Sequence, residues 1–273
     1  MKIITLMENS ACRDDLAAAH GLSLYIETAK HKILFDMGPG DELFCNAEKL
    51  GVDLTAVDIA MLSHGHYDHS GGLKRFCEIN DHAAIYLHRE AFGEYYALSP
   101  EEDPRYIGID QSLERERFIF TGDDCVIDDE LTLFSVVPDH FGALSASGKL
   151  FVRTEAGFMP DLFSHEQDLL ITEGDKRVLI AGCAHRGIVN VLQTGTQRLG
   201  RRPDATFGGF HLFLLTEGDP AAERLIEMTG KALLAGETVY YTGHCTGDYA
   251  YEKLKTILND RLQRMCGGIT VEI

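Results

Sequence analysis

The chain has 273 residues, 45% hydrophobic and 25% charged, which is ordinary composition for a folded protein and enough length for one large domain or two fused halves. A formal net charge of −18 argues against a main task on nucleic-acid phosphates. No apolar run of about 18 residues is there to cross a membrane, and the opening MKIITLMENSACRDD is too polar for a secretory signal, so a cytoplasmic location is expected.

The chain opens with strand-like runs at Lys2–Met7, Leu22–Glu27 and Lys32–Phe35, then a short helix over Asp41–Leu50. A compact apolar run, Asp58–Leu62, leads into the stretch SHGHYDHSGG at 63–72. A helix at Leu73–Ile79 and a strand at Ala84–Leu87 follow. From about 88 to 148 the pattern is less regular, with strands only at Arg117–Phe120 and Leu131–Val137. The part at 88–115 contains SPEEDPRY and reads either as a solvated connection or as a lid or homodimer element.

The second half alternates. Leu169–Thr172 and Arg177–Ala181 read as a hairpin turning at Glu173-Gly174-Asp175. A helix at Arg186–Leu199, a strand at Ala205–Phe207, a helix at Pro220–Leu234 weakened by Gly230, a strand at Thr238–Tyr241 and a helix at Asp248–Leu262 come next. Such alternation predicts an α/β layered fold. No linker composition marks a boundary, so one domain over 1–273 is expected. Seven widely spaced cysteines without a C-x-x-C read as free thiols in a reducing compartment, with Cys183 and Cys245 as small buried residues.

The densest chemistry is His64, His66, Asp68 and His69. An extended chain would put His64, His66 and Asp68 on one side and send His69 away. Convergence of all four needs a curl after the strand, which Gly65 permits, while Gly71-Gly72 lets the next helix come close. Three more histidines follow strands beside glycine: His185 in GCAH, His211 in GGFH and His244 in TGHCTG. Four such placements point to a metal centre at strand ends. His64, His66 and His185 suffice for one ion, and Asp68, His69 and His244 for a neighbour. Two close divalent cations acidify a water and clamp the oxygens of a displacement at phosphorus or a carbonyl. Asp68 could also accept a hydrogen bond from the nucleophilic hydroxide. Arg186 and the helix starts at Arg186 and Asp248 favour an anionic small molecule, and Thr246 is placed to cap a helix or touch a ligand. His31, His82, His88, His140 and His165 read as structural, with His165 the one able to reach the pocket.

SHGHYDHSGG resembles the H-x-H-x-D-H signature of the metallo-β-lactamase superfamily. HGLSLYIET (20–28), KILFDMGPG (32–40), AGCAHRGIVN (181–190), GGFHL (208–212) and GHCTG (243–247) resemble a branch known as dihydropterin-ribofuranosylaminobenzene-phosphate synthases or metal-dependent hydrolases. The resemblance implies a four-layer αβ/βα sandwich, two facing mixed sheets flanked by helices, and two ions that can be zinc, iron or manganese, zinc first. It implies a catalytic role for Asp68, substrate contacts at His20 and Asn190, and Asp36 as a carboxylate behind a ligand histidine, where the alternative is a turn aspartate. One departure is visible. Many members place a bridging aspartate where this chain has His211, and a neutral imidazole has one lone pair and bridges poorly. His211 is then a substrate contact with a catalytic role or a terminal ligand. The expected function is hydrolysis or transfer on a small organophosphate, of phosphodiester or pterin-phosphate type. A di-iron redox protein and a ligand-binding effector with vestigial activity are the alternatives.

Overall fold

The computed structural model describes residues 1–99, 101–135 and 149–273; Val136, Val137 and His140 lie outside the described residues. In chain order the strands are β1 (Lys2–Met7), β2 (Ser23–Glu27), β3 (Lys32–Phe35), β4 (Ile59–Met61), β5 (Ala84–His88) and β6 (Tyr95–Ser99). Next come β7 (Glu102–Tyr106), β8 (Phe118–Thr121), β9 (Asp124–Val126), β10 (Leu131–Phe134), β11 (Leu150–Thr154) and β12 (Gly157–Pro160). The last are β13 (Asp168–Glu173), β14 (Lys176–Ile180), β15 (Ala205–Phe207), β16 (Val239–Thr242), β17 (Leu262–Arg264) and β18 (Thr270–Glu272). The helices are α1 (Glu42–Lys49), α2 (Tyr67–Ser70), α3 (Leu73–Ile79), α4 (Ile188–Leu199), α5 (Pro220–Leu234) and α6 (Asp248–Leu258).

By its internal contacts the chain, expected to be one domain, divides into two compact units. The first holds Met1–Asp123, Lys149–Gln167 and Cys266–Ile273; the second holds Asp168–Met265 and the described part of Asp124–Gly148. The sheet of the first unit runs β18-β1-β2-β3-β4-β5-β8. Its first four strands pair antiparallel, and β3, β4, β5 and β8 pair parallel. The sheet of the second unit runs β17-β16-β15-β14-β13-β10-β9 and has the same layout: parallel from β17 to β14, antiparallel from β14 to β9. Each unit is therefore a mixed sheet with helices packed on it, and each brings the ends of several parallel strands to one edge.

The central parallel strands β4 and β15 are short apolar runs because they are covered on both faces. IAM of β4 and ATF of β15 are buried throughout. Leu6, Leu34, Leu43, Phe76 and Leu87 share one core, and Leu179, Leu192, Phe210, Leu233 and Leu254 share the other. In α1 the buried Asn46 side chain donates to the carbonyls of Leu6 and Ala17 and accepts from the Ala17 amide, which ties the helix to β1. Helix α5 starts as its sequence dictates, with Asp219 accepting from the Ala221 amide and Pro220 in the first turn. Gly230 is the contact point of α5: a Cβ there would lie 2.6 Å from Ile257 Cδ1 in α6.

Three expectations need correction. The stretch expected to be irregular after 88 contains the hairpin β6–β7, which joins β11 and β12 in a four-stranded sheet ordered β12-β11-β6-β7. YYALS, LFVRT and GFMP do not alternate apolar with polar residues, and EDPRY of β7 is charged and exposed, so the period-2 signal is weak. Helix α6 ends at Leu258, followed by a 3₁₀ turn and β17, rather than running to Leu262. Cys12 and Cys266 are disulfide-bonded across 254 positions rather than free, with Cα atoms 5.5 Å apart.

Candidate functional site

In the first unit β4 ends at Met61 and the chain passes through Leu62 and Ser63 to His64. His66 stays extended (φ −100°, ψ 150°) and the single turn α2 then carries Asp68 and His69. This is the curl needed for four side chains to converge. A Cβ on Gly65 would sit 2.2 Å from the Ala91 carbonyl oxygen, and one on Gly71 would sit 2.0 Å from that of Pro39, so both positions exclude a side chain. His64 and His69 are fully buried, and His66 and Asp68 nearly so. The His64 ring lies 4.5 Å from that of His66 and 4.2 Å from that of His69. One donor atom each from His64, Asp68 and His69 fall within 4.8 Å of one another.

Asp36, on the loop after β3 with φ 58°, sets the tautomers of this group. Its carboxylate accepts from the Ser63 amide at 2.7 Å, the Ser63 hydroxyl at 2.7 Å and His69 Nδ1 at 2.6 Å. The proton of His69 is thus on Nδ1 and its lone pair on Nε2. Ser63 has one hydroxyl proton and gives it to Asp36, so it accepts from His64 Nδ1 at 2.8 Å. His64 also presents a lone pair at Nε2. Burial pulls the His69 pKa down, but Asp36 and then Asp68 outweigh it and the net shift is upward.

His66 is set differently. Burial, and then the proximity of His165, push its pKa down to about 3. Its Nε2 lies 4.0 Å from Asp161 Oδ2, and its ring 5.4 Å from that of His165. Asp161 is pulled up by burial, but His165 holds its carboxyl below the usual range. On the open side His20 Nε2 stands 3.3 Å from Asp68 Oδ2, with the His20 side chain about half exposed.

In the second unit three neighbouring parallel strands deliver the other histidines. His185 follows β14, His211 follows β15, and His244 begins a 3₁₀ turn after β16; all three are buried. The rings of His185 and His211 are 4.1 Å apart. Cys183 Sγ is 3.3 Å from His244 Nε2. Two such donors on one tetrahedral zinc, at about 2.3 and 2.1 Å, would lie about 3.6 Å apart, so the pair has ligand spacing. Asp204 sits at the opposite end of β15, held by Arg201 at 2.9 Å and by the Arg177 amide at 2.8 Å.

Backbone strain marks the same places. Six non-glycine residues among those described have left-handed φ: Asp36, Phe163, Ala184, His211, His244 and Asn259. All but Asn259 are at, or within two residues of, the side chains described above. Such conformations cost on the order of 1 kcal/mol each and persist where function holds them. Buried imidazoles, a buried carboxylate and a thiol form a donor set suited to divalent metal ions. A family model described as the metallo-beta-lactamase superfamily matches residues 18–192.

The chain belongs to the metallo-β-lactamase superfamily.

Its mixed sheets with flanking helices are the α/β sandwich of this superfamily of metal-dependent hydrolases, whose members bind divalent metals. It is 28% identical over 293 residues to a 7,8-dihydropterin-6-methyl-4-(β-D-ribofuranosyl)-aminobenzene-5′-phosphate synthase of Methanocaldococcus jannaschii, covering 98% of this chain and 95% of that protein. An uncharacterised protein of the same organism is 30% identical over 268 residues, covering 93% and 94%. Among solved structures it is similar to Tm1679, a metal-dependent hydrolase of the β-lactamase superfamily, with 29% identity, a TM-score of 0.84 and coverage of 100% and 99%.

Within the superfamily fold the loops around Arg186 and Thr246 differ in detail from their sequence reading. Helix α4 begins at Ile188 rather than Arg186, after Gly187 with φ 90°. Asn190 Nδ2 donates to the Arg186 carbonyl at 2.7 Å, so this amide shapes the loop that carries Arg186. Thr246 neither caps α6 nor faces outward: it is fully buried, accepts from the Phe210 amide at 3.0 Å and bonds the Thr242 hydroxyl at 2.6 Å. It locks the loops that bear His211 and His244. Sequence reading passes over Ser63 and Asp161 and treats Cys183 as filler. The D-x-x-x-H spacing of Asp161 and His165 is the one signal that could have raised the second pair.

Proposed function

We propose that the chain is a dinuclear metal-dependent hydrolase or group-transfer enzyme for a small phosphate-bearing substrate, of phosphodiester or pterin-phosphate type. The metal donors are His64, His66, Asp68 and His69 in the first unit and His185 and His244 in the second, with Cys183 as an added thiolate. Zinc is the first candidate ion, then iron or manganese. The observation that carries this reading is the His64–Asp68–His69 group, buried, with donor atoms within 4.8 Å and both imidazole tautomers fixed through Asp36. The phosphate-bearing substrate is supported by the name of the M. jannaschii relative.

Divalent cations at these donors supply Lewis acidity and lower the pKa of water. The chain's own groups do the rest. Asp36 and Ser63 hold two rings in place, so no reorganisation is needed when the reaction begins. Asp68, nearly buried and facing His20, is positioned to take a proton from the attacking water. His20, about half exposed, stands at the entrance of the cluster and meets the substrate from the solvent side. His211 faces substrate, and Arg186 adds a positive charge for a phosphate.

The experiment is elemental analysis of the purified protein, followed by turnover of a panel of phosphomonoesters, phosphodiesters, cyclic phosphates and a dihydropterin diphosphate. Turnover that needs bound metal and disappears in His66→Ala, with the circular dichroism spectrum kept, is the expected result. A His66→Ala protein as active as the parent would overturn the assignment.

A further inference from the structure

Asp161 and His165 lie between β12 and β13, about a hundred positions from the H-x-H-x-D-H stretch, yet both pack against its first half. The Gly65 amide donates to His165 Nδ1 at 2.9 Å. A neutral imidazole has one lone pair and one N–H, so the His165 proton is on Nε2. That nitrogen faces Asp161 Oδ2 at 3.1 Å. The other oxygen of Asp161 accepts from the Phe163 amide at 2.7 Å. Asp161 Oδ2 also faces His66 Nε2, at 4.0 Å. The Tyr95 ring lies over His165 with centroids 3.9 Å apart, and Phe163 stands edge-on to His66 at 6.3 Å. The side chains of His66, Asp161 and His165 are 6%, 3% and 0% exposed, so water does not screen the carboxylate.

Two roles fit three such donors, whose ligand atoms fall within 4.8 Å of one another. They could form a separate cation site. His165 rules against it: with Nδ1 accepting from Gly65, its Nε2 carries a proton and has no lone pair to give a metal. The second role is positioning. A carboxylate facing an imidazole nitrogen favours the tautomer with the proton on that nitrogen.

We propose that Asp161, itself held by His165 and the Phe163 amide, is a positioning residue that keeps the His66 proton on Nε2 and so makes Nδ1 the nitrogen His66 offers to a cation. His64 and His69, whose Nδ1 atoms are tied to Ser63 and Asp36, offer Nε2 instead. The cluster then reaches inward with two ring geometries, and the chain devotes two separate buried carboxylates, Asp36 and Asp161, to setting them. The ligand role of His66 rests on the function proposed above, but its tautomer does not.

The test has two arms. In metal-free wild-type protein, nitrogen-15 correlation spectra of the histidine rings should show Nε2–H for both His66 and His165. In Asp161→Asn, which preserves shape and removes the charge, His66 should become a mixture of tautomers, and zinc affinity measured against a chromophoric chelator should fall about 10–100-fold. Asp161→Glu should recover part of that affinity. Nδ1–H on His66 in the wild-type protein, or unchanged zinc affinity in Asp161→Asn, would overturn the proposal. A wild-type protein that takes up no metal would instead overturn the proposed function, with the tautomer spectrum still deciding the role of Asp161. The first arm needs no variant, so a poorly folding Asp161→Asn leaves it intact.

Discussion

Replacing Asp36 by Asn is the sharpest single perturbation of the first cluster. Asn matches Asp in shape and tolerates the left-handed backbone that residue 36 adopts (φ 58°), so the change isolates the charge. The carboxylate accepts three bonds at 2.6–2.7 Å with no exposure to water. An amide oxygen can keep the one from the Ser63 backbone. The amide nitrogen would then face the Ser63 hydroxyl and His69 Nδ1, and it can only donate. His69 must move its proton to Nε2 to accept, which removes the lone pair that points into the cluster. Charged hydrogen bonds contribute roughly 1.5–3 kcal/mol each, so losing two and replacing them with neutral ones costs about 3 kcal/mol. At about 2–4 °C per kcal/mol for a chain of this size, Tm should fall about 6–12 °C in thermal denaturation followed by circular dichroism. Zinc affinity should fall about 10–100-fold in the same variant. An Asp36→Asn protein with unchanged Tm and unchanged affinity would refute the hydrogen-bond account of this cluster.

Other perturbations follow from the same geometry. Gly65→Ala places a Cβ 2.2 Å from the Ala91 carbonyl and 2.9 Å from the Tyr95 ring; a loss of more than about 2 kcal/mol in urea unfolding is expected, and a neutral result would contradict the packing. Cys12→Ser opens a cross-link spanning 254 positions, which should cost about 3–5 kcal/mol, and a reducing agent should lower the Tm of the wild-type protein but not of the variant. The metal-free protein should be acid-labile. His66 titrates near 3 when folded and near 6.5 when unfolded, so the unfolded chain gains a proton first and stability drops by about 1.4 kcal/mol per pH unit as pH falls from 6.5 towards 3. His69 acts with the opposite sign: its raised pKa contributes stability below the unfolded value that is lost as pH rises through the folded one. His66→Gln should flatten the acid limb of a urea-stability profile, and an unchanged slope would count against the burial of His66.

Local signals carried much of this in the sequence. The strands β1, β3 and β15 and the helices α3 and α5 coincide with the apolar patterns that predict them, because their burial pattern is set within a few residues. Histidines beside glycine at strand ends were legible for the same reason; the role of Asp36 in FDMGPG came only from the family resemblance, because no local pattern separates it from a turn aspartate. Long-range partners were not. Asp161 approaches His66 from ninety-five positions away, and Cys12 meets Cys266 across nearly the whole chain; no periodicity encodes either meeting. Thr246 looked like a cap or ligand contact because threonine before a helix usually is one, but Gly247 takes the turn and buries the hydroxyl against Thr242. The sheet β12-β11-β6-β7 escaped because its strands alternate poorly, as exposed hairpins can.

Titration of the metal-stripped protein with zinc, with binding stoichiometry and Tm recorded together, asks whether the histidine clusters hold a pair of ions. Uptake of about two equivalents with a rise in Tm, reduced in His64→Ala and in His244→Ala, is the predicted result. A wild-type protein that takes up no zinc, iron or manganese and shows no shift in Tm would contradict it.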